Sequence, residues 1–144
     1  MLIRGEWLRE ADGVIRPTLR AELLTAAGEW LLVTFLVDTG ADRTVIYAGL
    51  ADALGYDLPD AGDPLSGAGG RFDSARIPTR LQLSRTDGVP LPINGPFSIS
   101  TDPLSPDCSV LGRDVLDLFA VVLDRPGRVL CLLSGRHRYV IQES

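Results

Sequence analysis

An aspartate placed directly after an apolar segment is the feature of this sequence whose residue types best suit chemistry. The segment is Trp30–Val37, and Asp38-Thr39-Gly40 follows it without a gap. An unpaired buried carboxylate is costly, so an aspartate at this place needs a structural partner or a function. The structural alternatives are a helix N-cap and an Asx turn, because Asp-Thr-Gly is favourable turn chemistry. The functional alternative is acid–base catalysis by the Asp38 carboxylate.

The sequence offers few groups for other kinds of chemistry. All 14 basic residues are arginines, which excludes a Schiff-base lysine and a phosphate-loop lysine. The single histidine, His137, and the two cysteines, Cys108 and Cys131, fit no metal-binding motif, so we expect neither a metal nor a cofactor. We expect both cysteines to be reduced thiols. The net charge is −5 and no basic run is present, so we expect no nucleic-acid partner.

Three segments carry, in this order along the chain, a resemblance to one protein family. Phe35–Ile46 contains Asp38-Thr39-Gly40 between apolar flanks. Ser66–Phe72 is rich in glycine, and Ser109–Leu116 has two apolar residues and a glycine before a predicted short helix. These segments resemble the active-site loop, the tip of the flap hairpin and the second signature of the retropepsin-like aspartic proteases. A plain surface loop is the alternative for Ser66–Phe72, whereas a phosphate-binding loop is disfavoured because no Gly-Lys-Ser/Thr follows.

The resemblance implies roles for individual residues. Asp38, Thr39 and Gly40 are implied to be catalytic. Thr39 would hydrogen-bond across a two-fold axis to the matching loop, and Gly40 would let the substrate backbone come close. The other implied positions bind substrate (Ala41, Asp42, Gly67, Ala68, Gly69 and Gly70) or support the site (Leu111, Gly112 and Arg113).

Arg113 is implied to pair with Asp42, as the arginine at this position does in retroviral members of the family. Two separate solvated charges are the alternative. If the pair is buried, removing one member costs on the order of 3–5 kcal/mol because the other charge is left uncompensated. We therefore expect the substitution Arg113→Ala to unfold or dissociate the protein.

The mechanism that the resemblance implies has a consequence for assembly. Aspartic protease chemistry needs two carboxylates that share one proton, and this chain contains only one Asp-Thr-Gly. The resemblance therefore implies a homodimer in which water activated between two copies of Asp38 hydrolyses a polypeptide substrate. The alternative from another class is a non-catalytic dimerisation or binding module with the same fold.

The elements that would position these residues are mostly strands. Trp30–Val37 is apolar on both faces, which predicts a buried central strand. Prolines in Val89–Ser100 predict that this strand is irregular or lies at an edge. Short helices are predicted over Tyr47–Leu54, with Gly55 as C-cap, and over Arg113–Leu118. The predicted fold class is all-β, a retropepsin-like closed β-barrel (the acid protease half-fold) with one or two short helices.

The organisation along the chain predicts a single domain over residues 1–144. Residues 1–13 would form an N-terminal extension with a hairpin, and residues 134–144 a C-terminal tail strand. The longest apolar stretch, Trp30–Val37, is too short to cross a bilayer, and the N-terminal residues lack the apolar core of a signal peptide. We therefore expect no membrane partner and a cytoplasmic location.

Overall fold

Strands make up most of the regular structure in the computed structural model, which describes residues 1–59, 63–67, 70–102 and 107–143. The described strands, in chain order, are β1 (Leu2–Arg4), β2 (Glu6–Arg9), β3 (Ile15–Leu24), β4 (Trp30–Val37), β5 (Val45–Ile46), β6 (Asp63–Gly67), β7 (Gly70–Ile77), β8 (Arg80–Ser84), β9 (Pro90–Asn94), β10 (Phe97–Ser100), β11 (Ser109–Leu111), β12 (Ala120–Asp124) and β13 (Val129–Leu133). The described helices are α1 (Ala51–Leu54), which follows a 3₁₀ turn over Ala48–Leu50, and α2 (Arg113–Leu116).

The described strands form two sheets. The smaller sheet has the order β1-β13-β12. The larger has the order β6-β7-β10-β5-β11-β4-β3-β8-β9, with β2 paired to β3 in addition. Within it β11 lies between β4, to which it is parallel, and β5, to which it is antiparallel. The chain between β4 and β5 is the segment that begins at Asp38, so β11 joins the two strands on either side of that segment.

The predicted closed barrel is not formed, because neither sheet closes on itself over the described residues. The larger sheet ends at β6 and β9, and both end strands contain proline. Pro90 and Pro92 have no backbone N–H, so β9 offers few donors to a further strand. The predicted edge position is therefore confirmed for β9, the first part of Val89–Ser100. It is wrong for β10, the second part, which lies inside the sheet between β7 and β5.

The central position of β4 is confirmed, but its burial on both faces is wrong. Val33, Phe35 and Val37 are buried and belong to the main hydrophobic core. On the opposite face Trp30 is 38% and Leu32 is 57% exposed. The apolar residues on one face of β4 therefore pack on the core, and those on the other face are open to solvent in the single chain.

The N-terminal segment is divided between the two sheets at Gly5. Its N–H donates to Leu130 O at 2.9 Å, at the point where the chain passes from β1 to β2. A Cβ at Gly5 would lie 2.2 Å from a methyl carbon of Leu130 and 2.6 Å from Thr18 O. The crossing is therefore too close for any side chain, and it separates β1 from β2.

The predicted C-terminal tail strand is absent from residues 134–143. Tyr139, Val140 and Ile141 are 63%, 86% and 90% exposed. A strand needs a neighbour that has free backbone groups, and β13 already has β1 on one side and β12 on the other. The tail therefore has no edge of β13 on which to pair.

The predicted helical segments form, although both are short. The first consists of the 3₁₀ turn and α1, and Gly55 ends it with φ 74° and a bond from its N–H to Ala51 O at 3.0 Å. This confirms Gly55 as the C-cap. The second helix ends at Leu116 rather than Leu118. No helix among the described residues is long and apolar enough to cross a membrane.

Arg16 and Asp12 form a charged pair at the tip of the β2–β3 hairpin, and this pair changes the titration of the Asp12 carboxyl group. Arg16 donates to both Asp12 carboxylate oxygens, at 3.0 and 2.7 Å, and the Val14 N–H donates to Oδ1 at 2.9 Å. The Arg16 hydrogen bonds, followed by that from Val14, lower the pKa of Asp12 from 3.8 to about 2. Because the folded-state pKa is lowered, the pair stabilises the fold above the unfolded-state value, and this stabilisation is lost as the pH falls towards 2.

We expect Arg16→Gln to return the Asp12 pKa most of the way to 3.8, the ordinary value. A carboxyl-detected NMR titration of the folded protein measures the shift. Arg9→Gln is the matched control, because Arg9 donates to Gly13 O and not to the carboxylate. An Asp12 pKa that stays near 2 in Arg16→Gln would contradict the assigned cause.

Candidate active site

The backbone of Asp38 continues the pairing of β4 with β11. Ser109 lies opposite Phe35 and Leu111 opposite Val37, and the Asp38 N–H donates to Leu111 O at 3.1 Å. Leu111 is fully buried. The aspartate is therefore held at the end of a central strand by a neighbour that is itself fixed in the core.

The Asp38 carboxylate makes the Asx turn that its sequence favours. Its Oδ1 accepts from the Gly40 N–H at 2.9 Å, and Asp38 O accepts from the Ala41 N–H at 3.2 Å. The helix N-cap alternative is wrong, because the chain leads into β5 rather than into a helix. Over the described residues Oδ2 accepts no hydrogen bond. The turn thus orients the half-buried carboxylate and leaves one oxygen available to another group.

The residues after Asp38 form a loop, called here the Asp38 loop (residues 38–44), that faces the surface of the single chain. Thr39, Gly40 and Asp42 are exposed and Ala41 is half-buried. The loop carbonyls are bound by the start of α2, since the Arg113 N–H donates to Ala41 O at 2.8 Å and the Asp114 N–H to Asp42 O at 3.2 Å. The structure therefore brings together the sequence-predicted residues 38–42 and 111–113.

Gly112 stands where the Asp38 loop crosses the end of β11. A Cβ at this position would lie 2.4 to 2.9 Å from the backbone C, O and N atoms of Arg43. These are backbone atoms, which cannot turn aside as the end of a flexible side chain can. The close crossing explains why a glycine is needed here, and it places Gly112 and Leu111 in direct support of the loop.

Thr44 and Asp114 belong to the same arrangement, although the sequence reasoning missed them. Both the N–H and the hydroxyl of Thr44 donate to Asp114 Oδ1, at 2.9 and 2.7 Å. The Thr44 hydroxyl also accepts from the Gly112 N–H at 3.1 Å. Seventy positions separate the two residues, and no local pattern in the sequence signals a contact at that distance.

The predicted ion pair between Arg113 and Asp42 is formed, but burial, the condition for a large effect of removing one member, is not met in the single chain. One guanidinium nitrogen of Arg113 donates to Asp42 Oδ1. The two side chains are 46% and 80% exposed. Water and salt screen such a pair, and exposed pairs contribute about 0–1 kcal/mol. The pair therefore tethers the loop weakly.

The glycine-rich segment forms a hairpin in the same sheet. Strands β6 and β7 are antiparallel, and their last described pair is Gly67 opposite Gly70. Ala68 and Gly69, in the middle of the predicted flap tip Ser66–Phe72, lie outside the described residues. β7 pairs with β10, which pairs with β5 at the far end of the Asp38 loop. The hairpin is thus linked through two strands to the loop that it is expected to cover.

A groove of about 420 Å³ lies on the open face of β4. Its lining is mainly apolar and includes Leu8, Leu32, Leu36 and Cys108. Burial raises the pKa of the Cys108 thiol, and nearby carboxylates, that of Asp38 among them, act in the same direction. A neutral thiol in an apolar wall suits contact with an apolar group. No group of three or more potential metal ligands occurs among the described residues.

Comparison with known proteins agrees with this loop and sheet arrangement. The aspartyl protease family model matches residues 27–115, which is more than half of the chain. The chain therefore belongs to the aspartyl protease family. The match includes the Asp38 loop, the β6–β7 hairpin and β11.

Two solved structures are similar to this chain, and the first of them supports its fold class. A retropepsin-like aspartic protease from Rickettsia conorii is similar with a TM-score of 0.55 and 21% identity, over 92% of this chain and 88% of that chain. EIAV protease complexed with the inhibitor HBY-793 has a TM-score of 0.47 and 22% identity, over 71% of this chain and 86% of that chain. The comparison with curated proteins returned no match. The chain is thus an aspartyl protease family member with a mostly-β, retropepsin-like fold.

Because both members of the ion pair are exposed, we expect Arg113→Ala to lower the free energy of unfolding of the dilute chain by only about 0–1 kcal/mol. Urea unfolding followed by circular dichroism measures the difference. Arg136→Ala, in the exposed C-terminal segment, is the matched control. A loss of about 3–5 kcal/mol would instead mean that the pair is buried in solution.

Proposed function

We propose that the protein is an aspartic endopeptidase in which two Asp38 carboxylates, one from each subunit of a homodimer, activate the water that hydrolyses a peptide bond. The observation that carries the proposal is the Asp38 carboxylate itself. It ends a central strand, is oriented by Gly40, and keeps one oxygen without a hydrogen bond over the described residues. The family match gives the class of reaction.

The proposed site needs a second copy because one carboxylate supplies only half of the chemistry. Two carboxylates held close together share one proton, since two such charges cannot both ionise. The ionised carboxylate takes a proton from water as the water attacks the peptide carbonyl, and the protonated one stabilises the developing oxyanion. The proton then passes to the leaving nitrogen. With one Asp-Thr-Gly per chain, both carboxylates are Asp38 and the site lies on a two-fold axis.

The residues around Asp38 have matching roles in the proposal. Thr39 is exposed, which suits a hydrogen bond to the partner subunit's loop. Gly40 and Ala41 line the path of the substrate backbone, and Asp42 stands beside them. The substrate binds as an extended strand under the β6–β7 hairpin, with the glycines at positions 67, 69 and 70 and Ala68 acting as a flap.

The β12–β13 hairpin is the surface that we propose for dimer contact. Leu123 and Val129 on this hairpin are 41% and 43% exposed, and Leu118 just before it is 57% exposed. Exposed apolar side chains beside a strand edge mark a surface that is suited to burial by a partner. One domain over residues 1–144 and a cytoplasmic location, which suits the two free thiols, complete the proposal.

We expect Asp38→Asn to abolish peptide cleavage, with a loss of ~10²-fold or more, because an amide cannot exchange the proton that the mechanism moves. Wild type and variant are incubated with an unfolded protein and a peptide library across pH 4–7, and products are quantified by mass spectrometry. Asp52→Asn, at an exposed position in α1, is the matched control and keeps wild-type cleavage. Equal cleavage by wild type and Asp38→Asn would exclude the proposed mechanism, and no cleavage by either protein would leave the non-catalytic binding module.

A mixing experiment tests the shared site. Wild type at constant concentration is allowed to exchange subunits with a ninefold excess of Asp38→Asn at saturating substrate. We expect the activity per wild-type chain to fall about tenfold, since most wild-type chains then face a partner without the second carboxylate. Subunit exchange is followed with differently tagged chains. Unchanged activity after complete exchange would mean that one chain carries the whole site.

A further inference from the structure

The Asp38 loop is held in place by one short segment of the chain. Asp38 N–H donates to Leu111 O, and the N–H groups of Arg113 and Asp114 donate to carbonyls within the loop. The contacts of the Thr44 side chain also go to this segment, because its hydroxyl binds both Asp114 and the Gly112 N–H. Residues 111–114 therefore determine where the carboxylate lies relative to the sheet.

Two side-chain contacts join the loop to this segment, and they differ in burial. The Arg113–Asp42 pair is exposed and is screened by solvent. Thr44 is fully buried, and its hydroxyl is both a donor and an acceptor. A buried hydroxyl with both functions satisfied fixes the direction of its partners, because water does not reach the hydroxyl itself.

We propose that Thr44 and Asp114 are positioning residues for the Asp38 carboxylate, a role that rests on the proposed function. Thr44 ends the loop that Asp38 begins, and Asp114 Oδ1 receives both of the Thr44 donors. In a two-fold dimer, a displacement of this loop in each chain moves both carboxylates. The distance between the two carboxylates therefore changes by up to twice the displacement in one chain.

This role has a signature in the pH profile that a purely structural role lacks. Repulsion between the two carboxylates separates the apparent pKa values of the pair. When the carboxylates move apart, the repulsion weakens, the lower apparent pKa rises and the upper one falls. The bell-shaped dependence of kcat on pH then becomes narrower on both sides.

The experiment compares three threonine variants in the full-length protein. Thr44→Val keeps the side-chain volume and removes the hydroxyl, and we expect kcat to fall ~10- to 100-fold with KM within about twofold of wild type. The bell-shaped profile narrows at the same time. Thr44→Ser retains the hydroxyl and restores most of kcat and the width of the profile.

Thr79→Val is the matched control, because Thr79 is also buried and its hydroxyl donates to Leu24 O at 2.7 Å, away from the loop. We expect it to lower the melting temperature and leave kcat and the pH profile unchanged. Should Thr44→Val fail to fold, Asp114→Ala removes the same acceptor from an exposed residue. Asp114→Asn keeps an acceptor oxygen and rescues kcat.

Three results overturn the positioning role: wild-type kcat and pH profile in Thr44→Val, the same kcat loss in Thr79→Val, or, where Thr44→Val does not fold, wild-type kcat and profile in Asp114→Ala. These results leave the proposed function intact as long as wild type cleaves and Asp38→Asn does not. If Asp38→Asn cleaves as well as wild type, the proposed function itself fails. The two failures are therefore distinguishable.

Discussion

The placement of strand β11 between β4 and β5 is the constraint on which the candidate site depends. Leu111 lies opposite Val37 at the end of β4, and Val110 lies opposite Val45 at the start of β5. The two ends of the Asp38 loop are thus bonded to opposite edges of one three-residue strand. Moving the loop as a whole would break backbone hydrogen bonds in a sheet whose inner face is packed, which is costly. The two ends of the loop are therefore held as firmly as the core, although the tip of the loop lies at the surface.

The tip of the Asp38 loop is exposed, as expected for a site that is completed by a second subunit. Thr39, Gly40 and Asp42 are open to solvent. Proton sharing between carboxylates and stabilisation of an oxyanion are effective only where water is excluded and the local dielectric is low. Over the described residues, the single chain does not provide this environment around Asp38. In the proposed dimer the partner's loop and the flap would supply it, and the exposed pair of Asp42 and Arg113 would lose its solvent screening.

The sequence predicted what local chemistry determines and missed what distant contacts determine. The Asp38 turn and the C-cap at Gly55 follow from the conformations that these residues favour over a few positions. The bonds between Thr44 and Asp114 join segments that only the folded sheet brings together. The close crossing at Gly5 is of the same kind, since Leu130 and the Thr18 carbonyl, which restrict it, are distant in the sequence. The tail strand is absent from residues 134–143 because β13, the strand before it, is already paired on both sides, which a periodic pattern does not reveal.

Because the sheets are open over the described residues and do not form the predicted barrel, they have edge strands to which a second copy of the chain could add a strand. The end strands of the larger sheet carry Pro64 on one side and Pro90 and Pro92 on the other, so both are poor templates for another strand. In the smaller sheet the edge strands are β1, with three residues, and β12 (Ala120–Asp124). β12 is longer, contains no proline and pairs on one side with β13. Strand addition at β12 would therefore satisfy free backbone groups and cover the exposed apolar side chains of its hairpin in one contact.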